Sequence, residues 1–334
     1  MRGLEVDESG SDAPSASLVH TVLAARRYFL DGATKSEIAA ELGISRFKVA
    51  RLLEVARRDG IVRIEIDSVP GIDLTLSQEL AAAMGIRSAV VVRASDGPDE
   101  FARSQMGRAA AMALAEALDE ADTLGVSWGR TLHAMVGHLP RLPMCPVVQL
   151  VGSVPTLELS VNSMELVRRV AERTGGAVYP LHVPLLVDAP EIADRLCAEP
   201  HVARTLAMFG RVTRAIVGIG AWSDGGSTVR ASLSGADAEA IDAAHAVADV
   251  CSIVLDAKGQ EIHAAGLPDR CISIRARELR AVPDVIAVAG GAAKVAAIRA
   301  ALRSGLVHRL VTNEEAARLL LAGVGAESIS TSEG

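Results

Sequence analysis

Aromatic residues, cysteines and long apolar runs are scarce in this sequence, and each shortage excludes a class of protein. Only 2% of the residues are aromatic although half are hydrophobic. The core must therefore be built from Ala, Val, Leu and Ile, a composition typical of helices packed on a buried sheet. The four cysteines, Cys145, Cys197, Cys251 and Cys271, form no C-x-x-C pair. This argues against a zinc site or a disulfide framework and fits a reducing cytoplasm.

The sequence also lacks the signals of membrane insertion, export and common cofactors. No run approaches the roughly 18 apolar residues that a membrane helix needs, and the N-terminus is acidic and Ser-rich. The histidines lie without the spacing of metal ligands, and no glycine-rich dinucleotide or nucleoside-triphosphate motif is present. We therefore expect a cytoplasmic protein with neither a cofactor nor a metal.

Charge is unevenly distributed along the chain. The whole sequence has a net charge of −7, yet residues 20–63 contain nine basic and five acidic side chains, a balance of +4. The remainder therefore carries −11. This separation is typical of a basic DNA-binding head on an acidic body.

The basic segment has the pattern of a helical hairpin. Residues 17–30 place apolar residues on one helical face, and Asp31-Gly32 ends that helix. Thr34 and Glu37 form a capping box for a second helix that begins at Lys35 and stops at Gly43. Ser45 caps a third helix, on which Val49, Leu52 and Leu53 are predicted to face inward and the bases outward.

The spacing of Ala39, Gly43 and Val49 resembles the bacterial helix-turn-helix family, with the third helix as recognition helix. The predicted DNA contacts are Lys35, Ser45, Arg46, Phe47, Lys48 and Arg51. The alternative is a purely structural helical pair, and the three bases on the leading turn favour DNA binding. The run IVRIEI, residues 61–66, alternates apolar and polar side chains and predicts a strand of a small wing.

Beyond the linker at Ser68-Val69-Pro70-Gly71, predicted strands and helices alternate to the end of the chain, among them a helix over 106–118 and a strand over RAIVGIGA, residues 214–221. This alternation predicts an α/β body with a largely parallel sheet, whose ligand lies at the carboxyl ends of the strands. We therefore expect a disordered tail over 1–15, an all-α winged helix-turn-helix domain over 16–66, and a three-layer α/β effector domain over 67–334.

Two strand-to-helix turns have residues suited to binding an anion. In LGVSWGRTL, Gly129 allows close approach of the backbone, and Arg130 and Thr131 open a helix. In VIAVAGGAAKV, Gly290 and Gly291 end a strand, and Lys294 lies in the first turn of the next helix. Each turn taken alone is better explained by tight packing with a surface cation than by an anion site. Asp224 and Asp256 are expected to form turns.

The motifs LGVSWGRTL, VVQLVGS, AVADVCSIVLDAKG and VIAVAGGAAKVAAIRAALRSGLVHRLVTNEEAARLLL, following a helix-turn-helix, resemble the SorC family of sugar-binding transcriptional regulators. The resemblance extends over about residues 20–323. It implies an effector domain similar to phosphosugar isomerases, tetrameric binding to operator DNA, and a phosphorylated sugar as effector.

The resemblance also implies roles for individual residues. It assigns phosphate binding to Gly129, Arg130 and Thr131, and pocket positions to Gln149, Gly152, Gly290 and Lys294. It assigns contact with ligand hydroxyls to Asp249. The chain departs from the family pattern at Ala248 and Ser127, where glycine is common. The added Cβ atoms are expected to narrow the space near the ligand.

These observations favour a regulator of a carbohydrate-utilisation operon over an enzyme. The resemblance implies repression that the ligand relieves, and activation is the alternative. Its expected partners are operator DNA, a sugar or sugar-phosphate effector and further copies of itself as a dimer or tetramer. The alternative is a phosphosugar isomerase or deaminase with an ancillary DNA-binding domain. It would need an acid–base pair, which no spacing in the sequence enforces. An RNA-binding head is disfavoured because exposed aromatics for base stacking are lacking.

Overall fold

The structure is a computed structural model that describes residues 16–63, 71–93, 99–154 and 163–330. The chain divides into two units, Met1–Asp67 and Ser68–Gly334. The predicted tail over 1–15 and most of the predicted linker lie outside the described residues.

The described part of the first unit, residues 16–63, contains three helices, α1 (Ala16–Phe29), α2 (Lys35–Leu42) and α3 (Arg46–Arg58). The predicted capping box of α2 is confirmed: the backbone N–H of Glu37 donates to Thr34 Oγ1, and the backbone N–H of Thr34 donates to Glu37 Oε2. Ser45 caps α3 by accepting from the backbone N–H of Lys48 at 3.2 Å. Both helices therefore begin where the sequence predicts.

The turn between α2 and α3 depends on Gly43. This residue adopts φ +63°, and its N–H donates to the carbonyl groups of Ala39 and Ala40 at the end of α2. A residue with a Cβ atom adopts this left-handed conformation only at a cost. Gly43 thereby fixes the angle at which α3 leaves α2.

A small core holds the three helices together. Val49, Leu52 and Leu53 of α3 are buried, as predicted. They pack with Ala24, Ala25, Ile38 and Ala56. The buried face of α1 is formed by its small residues, whereas Val22 and Phe29 of the predicted apolar face are 45% and 37% exposed. Close packing of α1 on α3 admits only the small side chains.

The predicted wing strand over 61–66 is described only in its first half. Residues 61–63 form a bend in which the Val62 N–H donates to the Ala56 carbonyl, extending the cap of α3. Residues 64–66 lie outside the described part of the chain.

The second unit is an α/β structure, as predicted. Within the described residues, its parallel sheet has the strand order β1-β10-β9-β5-β2-β3-β4, and a separate antiparallel sheet has the order β6-β7-β8. The strands are β1 (Ser88–Val92), β2 (Leu124–Val126), β3 (Val147–Gln149), β4 (Val178–Tyr179), β5 (Arg214–Gly218), β6 (Gly220–Ala221), β7 (Ala246–Val250), β8 (Ile253–Asp256), β9 (Asp284–Val288) and β10 (Arg309–Asn313).

Helices cover both faces of the parallel sheet, and two buried apolar clusters lie against it. The helices are α4 (Leu74–Met84), α5 (Asp99–Ala117), α6 (Arg130–Val136), α7 (Ser163–Thr174), α8 (Pro190–Ala198), α9 (Pro200–Leu206), α10 (Thr228–Ala231), α11 (Gly235–Ala243), α12 (Leu267–Arg270), α13 (Ala276–Ala281), α14 (Val295–Arg303) and α15 (Glu314–Ser330). None of the described helices is long and apolar enough to cross a membrane.

The predicted strand RAIVGIGA is divided between the two sheets. Its first part is β5 in the parallel sheet, and after Ile219 the chain continues as β6 in the antiparallel sheet. In the parallel sheet, β2 lies between β5 and β3. Open α/β sheets bind their ligands in a crevice beyond the carboxyl ends of the strands.

Candidate functional site

The basic side chains predicted to contact DNA lie on the solvent side of α3. Arg46, Lys48 and Arg51 are all exposed. Within the described residues, none of the three has an ion-pair or hydrogen-bond partner for its side chain. Phe47, at the start of the same helix, is 84% exposed. Free cations and an apolar ring at the N-terminal end of a recognition helix suit phosphate and base-edge contacts.

Two predicted contacts beside α3 have structural roles as well. Ser45 uses its hydroxyl oxygen as the helix cap, and its hydroxyl hydrogen remains a donor. The ammonium group of Lys35 lies 5.9 Å from the centre of the Tyr28 ring and is exposed. Arg27 is engaged elsewhere, since it binds Asp31 and Glu41 and so holds α1 against α2.

In the second unit, a cavity of about 530 Å³ lies at the carboxyl ends of β2, β5 and β9. Six of the eight predicted effector residues line it: Gly129, Arg130, Thr131, Asp249, Gly290 and Lys294. Residues far apart in sequence are thus brought together because their strands share one sheet edge or lie in the antiparallel sheet beside it.

Gly129 caps α6 with φ +150°, a conformation that glycine adopts readily. The His133 N–H donates to the Gly129 carbonyl. Within the described residues, the backbone N–H groups of Gly129, Arg130 and Thr131 have no acceptor. Three free N–H groups and an exposed guanidinium at a helix N-terminus can bind a phosphate group.

The second predicted anion-binding turn, after β9, is occupied by protein side chains. The Gly291 N–H donates to Asn313 Oδ1 at 2.8 Å, and the Ala292 N–H donates to Glu315 Oε2 at 3.2 Å. A Cβ atom on Gly290 would lie 2.7 Å from Asn313 Oδ1, so the glycine permits this packing. Asn313 and Glu315 therefore occupy these two N–H groups, and the prediction that this turn binds an anion depends on Lys294.

Lys294 follows that turn and points across the cavity. Its Nζ donates to the carbonyl oxygen of Ile219 at 2.6 Å, between β5 and β6. Burial lowers the pKa of its ammonium group, Asp249 opposes that shift, and Arg130 and Arg103 add to it. An ammonium group with one hydrogen bond has two further N–H donors for a ligand.

Asp249 lies on the central strand of the antiparallel sheet, opposite Gly220. It is 6% exposed, and its Oδ1 atom has no hydrogen-bond partner among the described residues. Burial raises the pKa of its carboxyl group, opposed by the nearby Ser227 hydroxyl and Lys294. A Cβ atom on Gly220 would lie 2.2 Å from Oδ1, so the glycine provides the room for this carboxylate. A ligand hydroxyl would supply the missing donor.

Gln149 and Gly152 do not line the cavity. Gln149 is buried, its Nε2 donates to the Val151 carbonyl and Ser163 Oγ, and its Oε1 accepts from the Leu181 N–H. A Cβ atom on Gly152 would lie 2.7 Å from the Pro184 carbonyl oxygen. Both residues therefore have packing roles: the Gln149 amide joins three segments, and Gly152 permits the close approach of the backbone at residues 184 and 185.

The two departures from the family pattern also lie outside the cavity lining. Ala248 is fully buried, and Ser127 Oγ accepts from the Gly218 N–H at 3.2 Å. The expectation that their Cβ atoms narrow the ligand space is wrong, because neither side chain lines the cavity. Asp256 has the predicted turn role and accepts from the N–H groups of Lys258 and Gln260.

Sequence reasoning missed Arg103, which lines the cavity from α5. No motif marks it, and the prediction of a helix in this region began only at residue 106. The only available signal was a basic residue three positions before the apolar Met106, which also lines the cavity.

Comparisons with known proteins agree with this arrangement. A family model described as "Putative sugar-binding domain" matches residues 71–322. The chain is 31% identical to the erythritol catabolism regulatory protein EryD of Brucella abortus, covering 89% of this chain and 95% of that protein. It is 30% identical to the sorbitol operon regulator of Klebsiella pneumoniae, with 89% and 96% covered. The crystal structure of the full-length sorbitol operon regulator SorC from Klebsiella pneumoniae matches with a TM-score of 0.72 and 29% identity, over 90% of this chain and 97% of that one.

Proposed function

This chain belongs to the SorC family of sugar-binding transcriptional regulators, and we propose that it represses a carbohydrate-utilisation operon until a sugar phosphate binds. The observation that carries the proposal is the separation of two sites. Free cations lie on the outer side of α3 in the first unit, and a cavity with three cations and a buried, unpartnered carboxylate lies in the second.

In the first unit, Arg46, Lys48 and Arg51 would contact operator DNA. Their guanidinium and ammonium groups bind phosphate oxygens or the acceptors of guanine, and Phe47 contacts a thymine methyl group. Lys35 and Ser45 bind backbone phosphates beside them. The lack of acidic partners on this face among the described residues supports this role, because each DNA contact then breaks no ion pair.

In the second unit, the turn Gly129–Thr131 would hold the phosphate group of the effector and Arg130 would neutralise it. Lys294 and Asp249 then contact the sugar hydroxyl groups, one as donor and one as acceptor. A regulator of a sorbitol operon and one of erythritol catabolism are among the relatives, which supports a sugar or polyol derivative as the ligand class.

The protein acts by binding, without catalysis, and does so in the cytoplasm beside the chromosome. The regulator names of its relatives support this. Assays for isomerisation of pentose and hexose phosphates provide the check. A robust rate that is abolished by Asp249→Asn would make the protein an enzyme.

Copies of this chain would assemble on the operator as a dimer or tetramer. In support, α1 and the residue after it expose several large apolar side chains, Val19, Val22, Leu23 and Leu30 at 41%, 45%, 42% and 77%. An exposed apolar stripe of this kind marks a protein-binding surface. A palindromic operator is read by two such units related by a twofold axis.

The experiment that tests DNA binding is a gel shift on the DNA upstream of the protein's own coding sequence. We expect the triple variant Arg46→Ala, Lys48→Ala, Arg51→Ala to lose affinity, with about 1–3 kcal/mol lost for each side chain that reads a base. The double variant Arg57→Ala, Arg58→Ala removes exposed bases from the far end of the same helix and should lose much less. Unchanged affinity in the triple variant would reject α3 as the recognition helix.

A further inference from the structure

Arg103 is a cation of the effector cavity with no partner of its own. It lies near the start of α5, is half-buried and lines the cavity. Within the described residues, its guanidinium group has neither a hydrogen bond nor an ion pair. Arg214, Arg230, Arg270 and Arg309 are also half-buried, and each of them binds a carboxylate. Arg103 therefore retains donors that the protein leaves unused.

The electrostatic balance of the cavity favours an anionic occupant. Arg103, Arg130 and Lys294 line it, and both arginines repel the Lys294 ammonium. The carboxylate of Glu315 is engaged by the Ala292 N–H, and among the described residues Asp249 forms no ion pair with any of the three cations. The three cations outnumber the two carboxylates of the lining, Asp249 and Glu315, so an anionic ligand would relieve the repulsion among the cations.

The two arginines reach the cavity from different places. Ser104 Oγ lies 3.0 Å from Nε2 of His138, just beyond the end of α6. A Cβ atom on Gly107 would lie 2.7 Å from the backbone N of Met135 and 2.8 Å from the carbonyl carbon of Ala134. The chain directions of α5 and α6 are thus opposed, and Arg103 begins near the C-terminal end of α6 while Arg130 begins at its N-terminal end.

This arrangement separates two anion positions. The seven residues of α6 span about 10 Å at 1.5 Å per residue, so the side chains of the two arginines start from backbone positions about that far apart along α6. Lys294 is near enough to both arginines to be repelled by each. One phosphate group bound at Arg130 therefore leaves Arg103 available for a second anionic group.

We propose that the effector is a sugar derivative with two anionic groups, one bound by Arg130 and the turn Gly129–Thr131 and the other by Arg103. Lys294 and Asp249 bind the hydroxyl groups between them. This inference rests on the proposed function and extends it by naming Arg103 as the residue that distinguishes a doubly anionic sugar from a monophosphate. Two N–H groups of a guanidinium match two oxygens of a phosphate or carboxylate.

The test is calorimetric titration of the full chain with paired probes, fructose 6-phosphate against fructose 1,6-bisphosphate and glucose 6-phosphate against 6-phosphogluconate. We expect the doubly anionic member of at least one pair to bind about tenfold or more tightly, because Arg103 adds charge-assisted hydrogen bonds to the second anionic group. Arg103→Gln should remove most of that preference. Arg108→Gln, which changes an exposed arginine of the same helix, should retain it.

The outcomes separate this inference from the proposed function. Equal affinity for both members of each pair, or an equal loss for both in Arg103→Gln, would overturn the role of Arg103 while leaving a sugar-phosphate effector in place. Arg103→Lys should keep part of the preference, which rules out a general folding defect. If none of the four probes binds the wild-type protein, both the inference and the sugar-phosphate proposal fail.

Discussion

At the scale of single residues, Asp249 is a carboxyl group whose ionised form its surroundings disfavour. The carboxyl group is buried, its Oδ1 atom lacks a partner, and its pKa is raised. A buried charge without its hydrogen bonds destabilises the folded state. Such a group is retained in a binding site because its missing partner is the ligand, so ligand affinity is gained at the expense of stability in the ligand-free protein.

Asp249→Asn should therefore raise the melting temperature of the ligand-free protein at neutral pH. The pKa of Asp249 is raised in the folded state, so ionisation of this carboxyl group lowers the free energy of unfolding above that pKa. Below the unfolded-state pKa of about 3.9 the group is protonated in both states, and this loss of stability is absent. The difference between variant and wild type should be largest near pH 8 and shrink as the pH falls toward about 4. Each kcal/mol regained raises the melting temperature by about 2–4 °C.

Thermal unfolding from pH 4 to pH 8 measures this difference. Glu239→Gln, which changes an exposed carboxylate of α11, is the matched control and should differ little from wild type throughout. A lower melting temperature for Asp249→Asn at pH 8, or a difference that widens toward acid, would show that the carboxylate stabilises the ligand-free fold.

Six of the eight predicted effector residues line the cavity, but sequence patterns do not give the direction in which a side chain points. Arg130, Asp249 and Lys294 all line the cavity. Gln149 ends a strand of the same parallel sheet, yet its side-chain amide forms hydrogen bonds with Val151, Ser163 and Leu181 and does not line the cavity. Successive residues of a strand point to opposite faces, and pairing across the fold decides which face meets the cavity. No motif marks Arg103, because only the packing of α5 brings it to the cavity.

At the scale of elements, the α2–α3 turn sets the position of the proposed DNA-binding helix. Gly43 has φ +63°, and no heavy atom lies within 4 Å of an added Cβ. Gly43→Ala would therefore introduce backbone strain without a steric clash, at a cost of about 1–2 kcal/mol. We expect faster amide hydrogen exchange in α2 and α3 and weaker operator binding, with little change in exchange across the second unit.

The control for that variant is Gly235→Ala, because Gly235 starts α11, needs no positive φ and has free space around its Cα. Hydrogen exchange followed by mass spectrometry compares both variants with wild type. Unchanged exchange in α2 and α3 of Gly43→Ala would mean that the turn tolerates a Cβ atom and does not depend on glycine.

Helix starts were predictable because they depend on local hydrogen bonds. Thr34, Glu37 and Ser45 cap their helices as their spacing indicates. The division of residues 214–221 between two sheets was not predictable, since alternating apolar residues indicate a strand but not its partner. The exposed face of α1 was missed for a related reason: the sequence shows which residues are apolar, and packing on α3 selects the small ones.

At the scale of the whole molecule, the basic residues proposed to bind DNA and the effector cavity lie in different units. The basic segment lies in Met1–Asp67, and the cavity lies within Ser68–Gly334. Regulation requires that the effector bind more tightly to one of two states that differ in operator affinity. We therefore predict that a bound sugar phosphate changes the affinity of the protein for operator DNA, in addition to the binding of each ligand alone.

The most direct measurement is a fluorescence-anisotropy titration of labelled operator DNA with the wild-type protein and with Lys294→Ala. It is carried out with and without fructose 6-phosphate, glucose 6-phosphate, ribose 5-phosphate and fructose 1,6-bisphosphate. We predict that at least one compound raises the wild-type Kd for operator by about 5–150-fold, and that Lys294→Ala binds operator but does not respond. An operator Kd that is unchanged by every compound that thermally stabilises the protein would contradict the account.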